Sequence, residues 1–348
     1  MTGIEWTERT WNPIVGCSVV SPGCTNCYAM RTAHRLGRNP RTPQYRGLTK
    51  MTRGGAVWTG RMRFVESALT IPLRRRKPTT YFVNSMSDLF AEDVPDEWID
   101  RVFAVMALCP QHQFQVLTKR PERMRDYFRA EPWDRLNEHC GVLAHWDDMP
   151  SYETTVLPHV WLGVSVEDQA RANERIPALL GTPAAIRFVS AEPLLGPVDI
   201  TAIRRTRAEG FMRPLDGRFN TLNWLIVGGE SGPGARPMHP DWARSLRDQC
   251  QAAGVPFFFK QWGEWGPDVG APEGKPDRIM EGRAPCAWWN GTRWVHEPNG
   301  YAPPLPEANA HGQWVYRLGK TTTGRHLDGA VHDEMPCRAI ANRRVCKR

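Results

Sequence analysis

Seven short runs of apolar, β-branched and aromatic residues recur along the chain, and each ends in polar positions. They are Trp11 to Gly16, Tyr81 to Asn84, Phe114 to Thr118, Trp161 to Ser165, Ile186 to Ser190, Trp224 to Gly228 and Phe257 to Lys260. Continuous apolar runs of this length read as strands buried on both faces. Helical periodicity fills several of the intervals. Glu97 to Cys109 places Trp98, Val102, Val105, Met106 and Cys109 on one face after an Asp93-Val94-Pro95-Asp96 start signal. Pro240 to Ala253 sets Trp242, Leu246 and Cys250 at four-residue spacing before a Gly254 stop, and Gln169 to Leu180 behaves similarly. This alternation predicts an α/β fold with a parallel sheet and right-handed crossovers. Six or seven such units predict a partial or full (β/α) barrel. An open doubly wound sheet competes, but no Gly-x-Gly-x-x-Gly follows the first run.

Two segments break the alternation. Residues 127–159 carry Trp133 and Trp146 with few periodic features and read as an insertion in a barrel spanning residues 1–265. Residues 266–348 are rich in Pro, Gly and Trp and end in a basic tail; they read as a small irregular or β-rich C-terminal appendage.

Composition narrows the class. With 348 residues, 41% of them hydrophobic and 24% charged, the chain can bury a large core, which excludes global disorder. The Met-Thr-Gly-Ile-Glu-Trp start has neither a basic nor an apolar signal region, and no run approaches the ~18 apolar residues of a spanning helix. The expectation is a cytoplasmic protein with no membrane partner. A net charge of +8 points to nucleic acid or a nucleotide, against a merely solvated basic surface or a partner protein. The densest basic runs, Arg74 to Lys77 and the tail Arg343, Arg344, Lys347 and Arg348, are expected to flank the barrel mouth and track phosphates.

Nine cysteines, an odd number without an export signal, argue against a disulfide framework. Six are isolated. The other three, Cys17, Cys24 and Cys27, follow the first apolar run with C-x6-C-x2-C spacing, and Pro22-Gly23 supplies a turn that brings Cys24 back towards Cys17. Three thiolates on one loop can hold three irons of a [4Fe–4S] cluster and leave the fourth open. Zinc, with His34 or a remote cysteine as fourth ligand, and three inert buried thiols are the competing readings.

The polar residues at the run ends would converge on one pocket at the C-terminal face of a barrel. They include Ser85 and Asp88, Lys119 and Arg120, Glu167, Glu192, Glu230, and Lys260. Gly228 and Gly229 would permit close backbone approach beside Glu230. Trp6, Trp11, Trp262 and Trp265 are expected near the mouth, where they could stack on a base. His239 and His326 have no neighbour that makes a nucleophile dyad, and no Walker loop, Gly-x-Ser-x-Gly or His-Glu-x-x-His occurs.

Several blocks together carry a family resemblance: Ile4-Glu5-Trp6-Thr7, Thr10-Trp11-Asn12-Pro13, the cysteine loop, Val83 to Phe90, and Leu117-Thr118-Lys119-Arg120-Pro121. Further on come Trp161 to Glu167, Ser190 to Gly196, Gly228 to Gly232, and Lys260-Gln261-Trp262-Gly263. The chain resembles the phage-encoded three-cysteine-motif family of unknown function, which is itself similar to radical-SAM enzymes. That resemblance implies a [4Fe–4S] cluster on the three cysteines and S-adenosylmethionine at its open iron. It also implies an electron donor and a 5′-deoxyadenosyl radical that takes hydrogen from a substrate, for which nucleic acid or a nucleotide is preferred. The cofactor pocket would comprise Ser85, Asp88, Lys119, Glu167, Glu192, Gly228, Gly229, Glu230 and Lys260. The usual radical-SAM spacing is C-x3-C-x2-C, so the first gap here is three residues longer. Gly228-Gly229-Glu230 resembles an amine-binding Gly-Gly-Glu of those enzymes but follows a later strand. Two other classes remain open: a cluster-bearing nucleic-acid-binding or repair-accessory protein, and a zinc-stabilised interaction module.

Overall fold

A computed structural model describes residues 4–144, 156–204, 210–217, 221–268, 279, 284–297, 313–336 and 345–346. Seven parallel strands form one sheet: β1 (Arg9–Trp11), β2 (Thr80–Val83), β3 (Gln113–Thr118), β4 (Val160–Ser165), β5 (Ile186–Ala191), β6 (Trp224–Gly228) and β7 (Phe257–Gln261). Their spatial order equals their chain order, with β1 and β7 left as edges. A doubly wound sheet reverses its order at a switch point; this one does not, and it is a curled half-barrel.

Period-two alternation divides the strand residues between two cores. Val83, Val116, Leu162, Val189, Val227 and Phe259 join the apolar faces of the crossover helices. Phe82, Trp161, Phe188, Trp224 and Phe258 point the other way and form an aromatic plug with Trp6 and Met335. Trp224 lies at its centre, 5.7 Å from Trp161 and 6.0 Å from Phe258 in edge-on contacts. The helix-free face is therefore filled up to Phe82 and Trp6, which line open space above them.

The helices follow from the same pattern. After α1 (Tyr28–Gly37) come α2 (Asp96–Ala107), α3 (Pro121–Arg129), α4 (Trp133–Ala144), α5 (Gln169–Leu180) and α6 (Pro240–Ala253). Asp168 caps α5 by accepting from the Arg171 amide, and left-handed Gly254 ends α6. The stretch expected as an insertion holds the end of α3 and all of α4, whose Trp133, Leu136 and Cys140 pack in the main core. Trp146 lies outside the described residues.

The first strand lies earlier than expected: it runs from Arg9 and ends at Trp11, where the expected run begins. Pro13 cannot donate to a ladder, and Ile14–Val15 pair instead with Arg63–Phe64, antiparallel and outside the main sheet. At the C-terminal side, β8 (Trp265–Gly266), β9 (Cys286–Trp289), β10 (Trp294–Glu297) and β11 (Val315–Arg317) form an antiparallel sheet ordered β8-β11-β9-β10. It rests on α6 through Trp242, whose ring lies 5.2 Å from Trp289. The segment near Asp333 bridges to Phe258 and covers the β7 edge.

Candidate functional site

At the C-terminal ends of the strands, above the aromatic plug, lies a cavity of about 250 Å³. Cys17, Cys24 and Cys27 all belong to its wall, and all three are free thiols. Burial pushes the Cys17 thiol up to about 12, with Asp88 adding to the effect and Arg120 opposing it; burial raises Cys27 as well. The neighbouring Cys24 and Cys27 sulfurs add to the rise at Cys17, and Cys24 adds to that at Cys27. Among the described residues, no group of three or more His, Cys, Asp or Glu side chains is placed to hold a single metal ion. The thiolates of a cubane each bind a different iron and so stand apart from one another. The His34 Nδ1 pairs with the Thr49 hydroxyl at 3.2 Å.

Three polar clamps fix the cysteine loop. At its start, the Arg120 guanidinium, buried after β3, donates to the Ser18 carbonyl and hydroxyl and lies 3.8 Å from the Cys17 sulfur. Asp88 holds that guanidinium at 3.0 Å and also accepts from the Thr118 hydroxyl and the Phe90 and Lys119 amides. In the middle, the Ser21 hydroxyl donates to Glu167 at 2.7 Å; Glu167 is wholly buried and paired with Arg175 at 3.1 Å. A Cβ on Gly23 would collide with Glu167. At the far end, Asn26 donates to Glu230 at 2.9 Å, while Arg236 reaches both Glu230 oxygens and the Pro22 carbonyl. Burial raises the Glu230 carboxyl, but hydrogen bonds from Arg236 and Asn26 outweigh it and hold the group below its ordinary value.

The anticipated residues therefore separate into two sets. Ser85, Asp88, Lys119, Glu192, Gly229, Glu230 and Lys260 line the cavity; Glu167 and Gly228 do not. Lys260 is paired with Glu192 at 2.8 Å, and the Ser190 hydroxyl donates to the same carboxylate. Asp88, Glu167 and Glu230 have their oxygens committed to the loop clamps. Gly229 admits protein rather than ligand, since a Cβ there would run into the Trp262 carbonyl.

Other expectations are corrected. Trp6 does line the cavity, but Trp11, Trp262 and Trp265 are buried with their indole N–H groups donating to Ala68, His326 and Ala235 carbonyls. His239 caps α6. Arg74 to Lys77 precede β2, at the end of the sheet opposite the cavity, because that run leads into a strand rather than out of one. The basic tail residues 343, 344, 347 and 348 lie outside the described residues.

Sequence reasoning missed Ser21, Asn26 and Arg175, whereas Asn84 stands at the strand end where it is expected. Asn84 is left-handed at φ 57 and turns the chain off β2. On the cavity wall, Trp6 Nε1, Asn84 Nδ2, Ser87 Oγ and Gln261 Oε1 are buried with no hydrogen-bond partner among the described residues. Such groups are costly when left unpaired, and here they form a polar lining suited to a ligand.

No helix among the described residues is long and apolar enough to cross a membrane. No curated protein sequence matches the chain. A solved structure of spore photoproduct lyase complexed with dinucleoside spore photoproduct is similar over 68% of this chain, at 12% identity and TM-score 0.32. The similarity covers 59% of that protein's chain. Residues 1–336 match the family described as "Protein of unknown function (DUF5131)", and the chain belongs to that family.

Proposed function

We propose that the protein is an iron–sulfur enzyme of radical-SAM type, with a [4Fe–4S] cluster on Cys17, Cys24 and Cys27 and S-adenosylmethionine in the adjoining cavity. The observation that carries this reading is the placement of three free thiols, on a loop clamped at three points, in the wall of the cavity at the C-terminal end of a parallel half-barrel. The donor set fits the group: soft sulfur ligands, Cys24 buried and Cys17 and Cys27 half-buried, suit iron–sulfur ligation, and the unpaired polar atoms fit a polar cofactor beside it. When bound, such a cluster supplies one electron to S-adenosylmethionine, and the resulting cleavage starts radical chemistry on a substrate.

The chain's own residues have separate tasks. Arg120 and Asp88 hold the first cysteine in register, Glu167 supports the turn, and Glu230 with Arg236 fixes the segment between the second and third cysteines. Lys119 and the Glu192–Lys260 pair face the cavity and orient charged parts of what binds there. The aromatic plug excludes water from beneath. Nucleic acid or a nucleotide is the proposed substrate class, in keeping with the phage-linked resemblance and the net positive charge; a separate electron donor completes the system, in a cytoplasmic setting.

Anaerobic incubation of the reconstituted protein with S-adenosylmethionine and dithionite tests this reading. Formation of 5′-deoxyadenosine and methionine is expected. A brown, fully loaded protein that leaves S-adenosylmethionine intact would instead favour a cluster-bearing binding or repair-accessory protein.

A further inference from the structure

Between Glu8 and Glu66 the chain has ten Lys and Arg residues and no Asp or Glu. The whole chain has 45 basic and 37 acidic residues, so the remainder carries a slight acidic excess and the positive charge is localised here. The central part of the segment, from α1 to Trp58, folds as one unit. Helix α1 packs against the 3-10 turn Pro43–Tyr45 and the hairpin Thr49–Thr52 with Gly55–Trp58. These pieces share a small core of Ala29, Met30, Ala33, Leu48 and Trp58, against which Cys17 and Cys27 also pack.

Arg31 and Arg63 donate to backbone carbonyls, while other cations of the segment face solvent. Arg35 and Arg38 at the end of α1, Arg41 and Arg46 in the connecting turn, and Lys50 and Arg53 on the hairpin are exposed. Among the described residues, none of the ten basic side chains is in an ion pair with a carboxylate. Elsewhere Arg101, Arg135, Arg236 and Arg244 are each so paired. Nine of the ten are arginines, whose planar fork matches phosphate oxygens bidentately. Trp58 and Tyr28 of the same unit belong to the cavity wall.

We infer that this unit is a nucleic-acid-binding surface that tracks the phosphates of a strand and delivers one nucleotide to the cavity. A polymer, rather than a free nucleotide, fits best because the cations extend over a helix end, a turn and a hairpin, more than one phosphate can occupy. The inference rests on the nucleotide part of the proposed function and not on its radical chemistry. A base within a duplex would have to be flipped out to enter the cavity, so single strands should bind better than duplexes.

The test is fluorescence anisotropy with labelled single-stranded and duplex oligonucleotides of mixed sequence, on the full chain, between about 50 and 200 mM salt. Binding is expected to fall steeply with salt. The triple variant Arg38→Gln, Lys50→Gln, Arg53→Gln should lose at least about tenfold in affinity and flatten the single-strand log–log slope by about 2, at ~0.7 per phosphate contact. The variant Arg74→Gln, Arg75→Gln, Arg76→Gln, on the opposite end of the sheet, should bind as the parent does. No binding at low salt, or equal slopes in parent and hairpin variant, overturns the inference. So does binding to phosphatidylserine vesicles that oligonucleotides do not displace, which would assign the surface to a membrane. Iron measured on the same samples separates the readings: full iron without binding overturns only this inference, and binding without iron overturns only the cluster.

Discussion

The Asn26 amide donates to the Glu230 carboxylate at 2.9 Å, joining the segment between two cysteines to a strand end 204 residues further along the chain. With Arg236 on its other side, Glu230 has little capacity left for a ligand and acts as a positioning residue for the loop. Glu230→Gln keeps the volume but loses the charge, so it should lower stability by about 1.5–3 kcal/mol, as for hydrogen bonds to charged groups. Urea denaturation gives the number, and a chelator challenge should strip iron faster from the variant. Parent-like stability combined with weaker cofactor binding would place Glu230 on the ligand instead.

The same carboxylate predicts a pH dependence. Its folded-state value lies below the ordinary 4.5, so the ionised form favours folding. That contribution is fully present above the unfolded value and is lost as pH falls through the depressed one. Thermal midpoints measured from pH 7 down to about 3 should therefore fall less steeply below about 4.5 in Glu230→Gln than in the parent. Superimposable curves would show that the clamp contributes nothing.

Asp88 and Arg120 form a second clamp, buried on both sides at 7% and 5% exposure. Removing the Asp88 charge leaves Arg120 only the exposed carboxylate of Glu92, 3.4 Å from its Nε, a change that costs up to about 3–5 kcal/mol, the range for breaking a buried pair. Asp88→Asn should lower the thermal midpoint and loosen Ser18 and Cys17 together. If the variant melts with the parent and retains iron equally well, Arg120 is held by other groups.

Much of the architecture was legible because it rests on local pattern. The strand runs and the α5 and α6 bounds follow directly from apolar spacing and the Gly254 stop. The first strand was placed too late in the chain because apolar Ile14 and Val15 continue the pattern past Pro13, and a ladder partner 50 residues away cannot be seen in composition. The site was legible as a list of polar strand ends but not as roles. Nothing local distinguishes Glu167, buried under the loop, from Glu192, facing the cavity; the difference arises from Ser21 and Arg175, which only folding brings together. The basic surface was missed because dense runs such as Arg74 to Lys77 attract notice, whereas a long segment free of carboxylates does not.

Gly229 and Gly141 provide a contrast in glycine use. A Cβ on Gly229 would overlap the Trp262 carbonyl, whereas one on Gly141, within α4, meets nothing within 4 Å. Gly229→Ala should be strongly destabilising or insoluble. Gly141→Ala should be neutral or stabilising by about 0.5–1 kcal/mol, the helix preference for alanine over glycine. Equal melting temperatures for the two variants would mean that β6 and the 262–263 turn are not so close.

The central claim is that Cys17, Cys24 and Cys27 act as one cluster site, and iron content after anaerobic reconstitution measures it most directly. The parent should take up about four irons per chain, and alanine at any one of the three cysteines should remove most of them. Cys109→Ala, in the core and away from the cavity, should keep the full complement. Stoichiometric zinc without iron, or a Cys24→Ala variant with parental iron, would contradict the account.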